Sequence, residues 1–357
     1  MAIAFIMPEI TGMLHPNNAP TSVGRTRLPN LFQRGAGNWL ALSFFVKTCF
    51  FMPSLFPSWL LVLLALLIGT PDFAQKPDKT LEAKLQALVE PFRGDVGIYV
   101  RHLKKNTVVA LHADTLFPTA SMIKVPITIG LFDKISRGEL DYHAPLTYRD
   151  SLLYAGEDIL GSFKDGEKIA LSKVAMLMIT TSDNTASLWC QALAGTGTAI
   201  NRWLETAGFQ HTRVNSRTPG REAARKEYGW GQTTPREMAG LLLLIREGKV
   251  ISPAVSARIY RNLIRIYYDG ESLSQLPPTV QVASKQGAVN QSRSEVVLVN
   301  APSGDYVFCV ITKNQKDESW ERTNEGYELL RAVSRTLWGH FEPNHPYSPP
   351  EGYEKWD

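Results

Sequence analysis

Cysteine is scarce in this chain, three residues in 357. So few cannot make a disulfide-dense scaffold, and the fold must rest on a hydrophobic core. Charge of one sign is also lacking. There are 38 Lys and Arg against 34 Asp and Glu, a formal net charge of +4. That balance excludes a strongly basic nucleic-acid binder on composition. The seven histidines include no HExxH and no paired Cys/His spacing, so the common zinc signatures are missing. A membrane-length apolar run is missing too. Residues 58–69, SWLLVLLALLIG, make one of about twelve, short for a span and right for a signal-peptide core. What is present suffices for folding: 44% of residues are hydrophobic and 20% charged, a balance that buries a full core.

The apolar run is followed by TPDFAQ, and Ala74 is a small residue placed for cleavage. Asp72, two positions earlier, fits that role poorly. Residues 1–74 therefore read as a leader, either a cleaved signal peptide or an uncleaved anchor, and the protein as exported, periplasmic or extracellular. Met52 is placed to be the true start. Removing the leader takes away four basic and two acidic residues, leaving 34 against 32. Cys49 goes with it. Cys190 falls in a helical stretch and Cys309 in a strand, so two buried free thiols are expected over a disulfide.

Beyond the leader the hydrophobic period changes twice. Residues 78–92 have helical spacing and stop at Pro91. GIYVRHL and TVVALHA, joined by KKN, read as a hairpin. From about 121 to 265 the pattern is helical. TPREMAGLLLLIREG shows the clearest ends, Thr-Pro at its start and Gly248 at its close. Strand patterns return as TVQVASKQG, SEVVLVNA and YVFCVITK, and a last helix covers about 324–338. The implied fold is α+β. An antiparallel five-stranded sheet is flanked by N- and C-terminal helices, and an all-helical lobe is inserted between strands two and three. The sheet lobe spans 78–117 and 278–341, and the helical lobe 118–277. One domain over 75–341 results, followed by a Pro-rich tail, 342–357, without regular structure. A cleft between the lobes is the natural place for a site.

Three short motifs carry chemistry. Ser121-Met-Ile-Lys124 opens the first inserted helix and puts hydroxyl and amine on one face, about a turn apart. A serine needs a base within hydrogen-bond reach to act as a nucleophile, and a lysine of lowered pKa can be that base. Ser182-Asp183-Asn184 follows at a break between helical runs, where a hydroxyl and an amide can relay a proton and hold a carbonyl. Taken alone, it reads equally as a helix cap. Lys285-Gln286-Gly287 lies in a late strand pattern. A glycine on an edge strand lets a ligand backbone approach.

Together, in this order and context, the motifs resemble SxxK, SDN and KTG of class A β-lactamases and penicillin-binding proteins. The flanking FPTASMIKVPI, TTSDNTA and QTTPREMAGLL are similar as well, and the resemblance covers about residues 78–340. It implies Ser121 as the acylated nucleophile and Lys124 as its base. Ser182 would be the proton relay to the leaving nitrogen, and Asn184 the partner of a substrate amide. Lys285 would attract a substrate carboxylate and tune Ser182. An oxyanion hole would be made by the backbone N–H groups of Ser121 and Ala288. Tyr154 stands where the family often has an aromatic at the cleft mouth, and Arg293 on the next strand is a candidate second carboxylate anchor. No cofactor and no metal are implied. The partner would be a small β-lactam or a peptidoglycan-type peptide, with no nucleic acid, and the protein a monomer.

Two positions depart from the family. The hydrolytic glutamate of class A enzymes aligns with Thr218, and a threonine hydroxyl is no general base near neutral pH. Either Glu222, four residues on, takes over, or deacylation is slow. A salt bridge from Glu222 to a nearby arginine is the plainer alternative. The hydroxyl residue after the third-motif lysine is replaced by Gln286, longer and bulkier, which strand alternation points away from Lys285 and Gly287. Three readings stay open: a β-lactamase-like hydrolase, a peptidase acting on cell-wall peptides, and a binding protein with little turnover.

Overall fold

Residues 75–156 and 158–356 are described by a computed structural model. The leader and its alternative start lie outside them.

The hairpin sequences pair as expected. Strand β1 is Lys76–Pro77, followed by helix α1 (Lys79–Val89), β2 (Asp95–His102), β3 (Thr107–Leu111) and β4 (Phe117–Pro118). Asp78 caps α1 by accepting from the Leu81 N–H at 3.0 Å. The helical lobe contains α2 (Lys124–Ser136), β5 (Pro145–Thr147), β6 (Lys168–Ala170), α3 (Leu171–Thr180), α4 (Asn184–Leu193) and α5 (Thr196–Thr206). It continues through β7 (Arg213–Val214), α6 (Glu222–Tyr228), β8 (Gly231–Thr233), α7 (Pro235–Arg246) and α8 (Pro253–Leu263). The chain returns as β9 (Val282–Val289), β10 (Ser292–Val299) and β11 (Tyr306–Lys313), and closes with α9 (Glu325–Phe341).

The main sheet runs β1-β3-β2-β11-β10-β9. Its five long strands are antiparallel, with Phe308 opposite Val100, Cys309 opposite Val296 and Lys285 opposite Val296. The sixth, β1, adds two residues parallel to β3. Both faces are covered, so β10 is buried along its whole length and its sequence is an apolar run rather than an alternation. Val296 and Leu298 join the core of the helical lobe, while Val297 and Val299 join the core beneath α1 and α9. Strand β9 is the sheet's outer edge, and this edge meets the helical lobe.

Helix α2 runs through the lobe's centre. Its nine residues from Lys124 to Phe132 are all buried, and a helix with no polar face must lie inside. Thr234 caps α7, with Pro235 in its first turn, as the sequence suggested. The inserted lobe is mainly helical but also holds two short ladders, β5 with β6 and β4-β8-β7. Cys190 and Cys309 are buried free thiols. The tail is better anchored than its prolines suggest. The Trp338 indole N–H donates to the His345 carbonyl at 2.7 Å, and Tyr347 packs on the sheet-lobe core. Tyr353–Trp356 forms a 3-10 turn.

Candidate active site

The nucleophile candidate sits at a forced turn. Ala120 has φ +43°, and residues 120–123 make a single 3-10 turn before α2 begins at Lys124. A left-handed conformation at a non-glycine residue costs about 1 kcal/mol. Here it brings Ser121 out to the cleft while Lys124, one turn on, stays inside with 0% exposure.

Lys124 Nζ is the hub. It lies 3.0 Å from Ser121 Oγ, 2.9 Å from Ser182 Oγ, 2.5 Å from the Ser182 carbonyl and 2.8 Å from Asn184 Oδ1. An ammonium has three protons for these four oxygens. A neutral amine has a lone pair that can accept from the Ser121 hydroxyl and two N–H bonds for the other three oxygens, so crowding alone does not choose between the two states. Burial pushes the lysine down to about 7, against the opposing pull of the Asp158 and Asp183 carboxylates. Near neutral pH a large fraction is therefore neutral, as a general base requires.

Ser182 reaches the hub because the break between α3 and α4 is left-handed at that residue, φ +57°. Two carboxylates hold the break in place. Asp183 caps α4 from the Ala186 N–H at 2.7 Å and accepts from the Leu160 N–H at 2.9 Å. Asp158 Oδ2 accepts from the N–H groups of Asn184 and Thr185 at 2.9 and 2.8 Å. Thr185 Oγ1 in turn accepts from the Tyr154 N–H at 3.0 Å. Tyr154 is 40% exposed and meets the Trp230 ring edge-on at 5.1 Å. Asp158, Thr185 and Trp230 were not picked out from sequence. No spacing rule links residues that meet only through the fold, and the one local signal was the cap position of Asp183.

The opposite wall is the edge strand β9. A Cβ added at Gly287 would stand 2.7 Å from the Thr119 carbonyl oxygen and 2.9 Å from the Ser121 nitrogen. Only glycine lets the strand pass this close to the nucleophile's backbone. Ala288, the next residue, lines the cavity on both sides of Ser121. Ser121, Asn184 and Ala288 are shared by two grooves. One, of about 760 Å³, is bordered by Tyr154, Trp230 and Glu227. The other, of about 890 Å³, is bordered by Ser182, Gln286 and Tyr267.

Lys285 is fully buried, and burial with the neighbouring charge of Lys124 holds it well below an ordinary lysine. Its Nζ donates to the Gln286 carbonyl at 3.0 Å and to Gln286 Oε1 at 2.8 Å. These bonds go to its own strand rather than to Ser182. Gln286 was expected to point away. Because β9 is an edge, both long side chains wrap around it and meet.

Arg293 is no carboxylate anchor. Its guanidinium donates to the carbonyls of Val289, Ser292 and Ser319 at 2.5, 3.0 and 2.5 Å. It lies 4.5 Å from the Trp320 ring and 4.7 Å from the Tyr327 ring. Strand parity is the reason. Ser294 faces Gly287 and the cleft, so Arg293, one residue earlier, faces α9.

Glu222 also fails to reach the site. It is exposed in the first turn of α6 and accepts from the Gly220 N–H at 3.1 Å. It caps its own turn rather than pairing with an arginine. Thr218 is buried, donates to the Ser216 carbonyl at 2.9 Å and packs against Gly197. The loop carrying both is tied to α4 through Gln191, which accepts from Ser216 Oγ at 2.7 Å. Among the described residues, no cluster of three His, Cys, Asp or Glu is placed to hold a metal ion.

The family model described as "Beta-lactamase enzyme family" matches residues 80–341. β-Lactamase VEB-1 of Pseudomonas aeruginosa is 21% identical over 300 residues, covering 79% of this chain and 97% of that protein. The solved structure of PBP-A superposes with a TM-score of 0.67 at 28% identity, covering 75% of this chain and 98% of that one. A leucine-to-glutamate mutant of PBP-A, an acyl-enzyme complex with penicillin G, matches at 27% identity with the same TM-score and coverage. A β-lactamase from Sphaerobacter thermophilus gives a TM-score of 0.66 at 21% identity over 75% of this chain and 99% of that one, a likeness of fold.

Proposed function

The chain belongs to the β-lactamase enzyme family, and from that premise we propose that it acylates Ser121 with a β-lactam or related amide and hydrolyses the acyl-enzyme slowly. The observation that carries the reading is the Lys124 amine, 3.0 Å from Ser121 Oγ and 2.9 Å from Ser182 Oγ. The neutral amine takes the Ser121 proton as Oγ bonds to the carbonyl carbon. The N–H groups of Ser121 and Ala288 receive the oxyanion. When the C–N bond breaks, Ser182 passes its proton to the leaving nitrogen and is reprotonated from Lys124. Atoms and charge balance without a cofactor. Slow deacylation follows from Thr218, whose hydroxyl replaces the expected carboxylate and is bonded into its own loop.

The experiment is a time course of intact mass after exposure to benzylpenicillin. The expected result is one adduct on Ser121 that persists for hours. An adduct that clears within seconds contradicts slow hydrolysis, and none at all contradicts acylation and favours a binding role. A second reading, a peptidase on cell-wall peptides of the D-Ala-D-Ala type, draws on the same missing base. A peptide leaving group departs as the acyl-enzyme forms, and an amine can then accept the acyl group, so slow attack by water is no handicap. Release of D-alanine from a D-Ala-D-Ala peptide would favour it. We also propose export, on the strength of residues 58–69 and Ala74.

A further inference from the structure

We infer that Gln286 sets the substrate's preferred charge: its side-chain amide holds the anion position of Lys285, and the site favours acyl donors with no free carboxylate beside the scissile amide. The inference rests on the acyl-enzyme reading of Ser121 and narrows its substrate class.

Three observations support it. Gln286 Oε1 accepts from Lys285 Nζ at 2.8 Å, so the amine is already engaged by an oxygen of this chain. Gln286 lines the groove beside Ser121, Ser182 and Gly287, whereas Lys285 is fully buried and lines neither groove. An entering ligand therefore meets the neutral amide before it meets the amine. To reach Lys285, a carboxylate must displace an oxygen already bonded there and leave the amide without its partner.

The second observation is Arg293. The cation on the neighbouring strand faces α9 and is committed to three backbone carbonyls between Trp320 and Tyr327. It cannot substitute for Lys285 in the cleft. The third is the charge of the groove. Asp158, Asp269 and Glu271 are among its lining residues, and among the described residues that line it there is no Lys or Arg. Asp158 is held by backbone N–H groups and Glu271 is paired with Arg331 at 2.6 Å. The charged side chains lining this groove are thus all acidic, which disfavours a carboxylate there. A neutral ester or amide at that end of the substrate matches the groove better.

The test compares benzylpenicillin with its neutral methyl ester, reading the second-order rate of Ser121 acylation by intact mass. The wild type should acylate with the ester at least as fast as with the acid. Gln286→Thr frees the Lys285 position, and should raise the acid's rate about tenfold relative to the ester's. Gln286→Glu keeps the side chain's size and fills the position with a permanent anion. It should lower the acid's rate about tenfold relative to the ester's, and it carries the test if Gln286→Thr fails to fold. A wild type that prefers the acid tenfold, or variants that move both rates together, would overturn the inference and leave acylation standing. No adduct with either compound in any variant would overturn the acyl-enzyme reading and this inference with it.

Discussion

Two segments are tied to helix α4, and they use their polar side chains in opposite ways. At the helix's start, Asp183 and Asp158 fix residues 182–185 through backbone N–H groups. That leaves Ser182 Oγ and Asn184 Oδ1 to meet Lys124. Further along, Gln191 fixes the loop through Ser216, and Thr218 Oγ1 bonds back to Ser216. The first segment spends its anchors on holding reactive groups outward. The second spends its reactive-looking groups on anchoring itself. The groups proposed for acylation are thus assembled at the start of α4, while the segment tied further along it is a structural loop.

The contrast breaks most completely if Ser121 is dispensable. Ser121→Ala should abolish the penicillin adduct, and any labelling at the wild-type rate would remove the nucleophile from the account. Lys124→Met comes next. It keeps much of the apolar stem and deletes the base, so acylation should fall about 10³-fold, within the range for general-base loss. Stopped mixing followed by mass analysis measures it. The smallest expected effect sharpens the other side. Thr218→Glu should speed deacylation about tenfold, a modest gain because the side chain starts packed against Gly197. If the adduct's lifetime is unchanged while Glu222→Gln lengthens it, the loop is read in the wrong register.

Much of this was legible from sequence where local pattern and tertiary demand agree. YVFCVITK is β11 from end to end, and the Thr-Pro and Gly248 signals bracket α7 within a few residues. The pairing of Ser121 with Lys124 follows from helical spacing alone. Between 137 and 170, however, the chain forms only short ladders and single turns, too brief for a period to register. The role of Arg293 turned on strand parity. A one-residue shift exchanges the faces of a sheet, and the register of β10 was not fixed by any turn read in advance. Gln286 failed for the opposite reason. Alternation was right for its Cβ, but two long side chains on an unpaired edge curl around it and touch. Asp158 acts on residues 26 and 27 positions away, a contact that only folding creates.

Lysine protonation also has a stability consequence. The folded-state pKa of Lys124, about 7, lies below the ordinary value of 10.5. Between these values the unfolded chain binds more protons, so Lys124's contribution to stability rises with pH from about 7 to 10.5. Below that window both states are protonated, and the cost of burying the charge is felt in full. The central claim, that Lys124 acts as a neutral amine on Ser121, is tested most directly by the pH dependence of the acylation rate. Intact-mass time courses with benzylpenicillin methyl ester, whose charge does not change with pH, give that rate. It should climb about tenfold per pH unit below about 7 and level off above it. A rate that is flat from pH 5 to 8, or a climb that persists in Lys124→Met, would contradict the account.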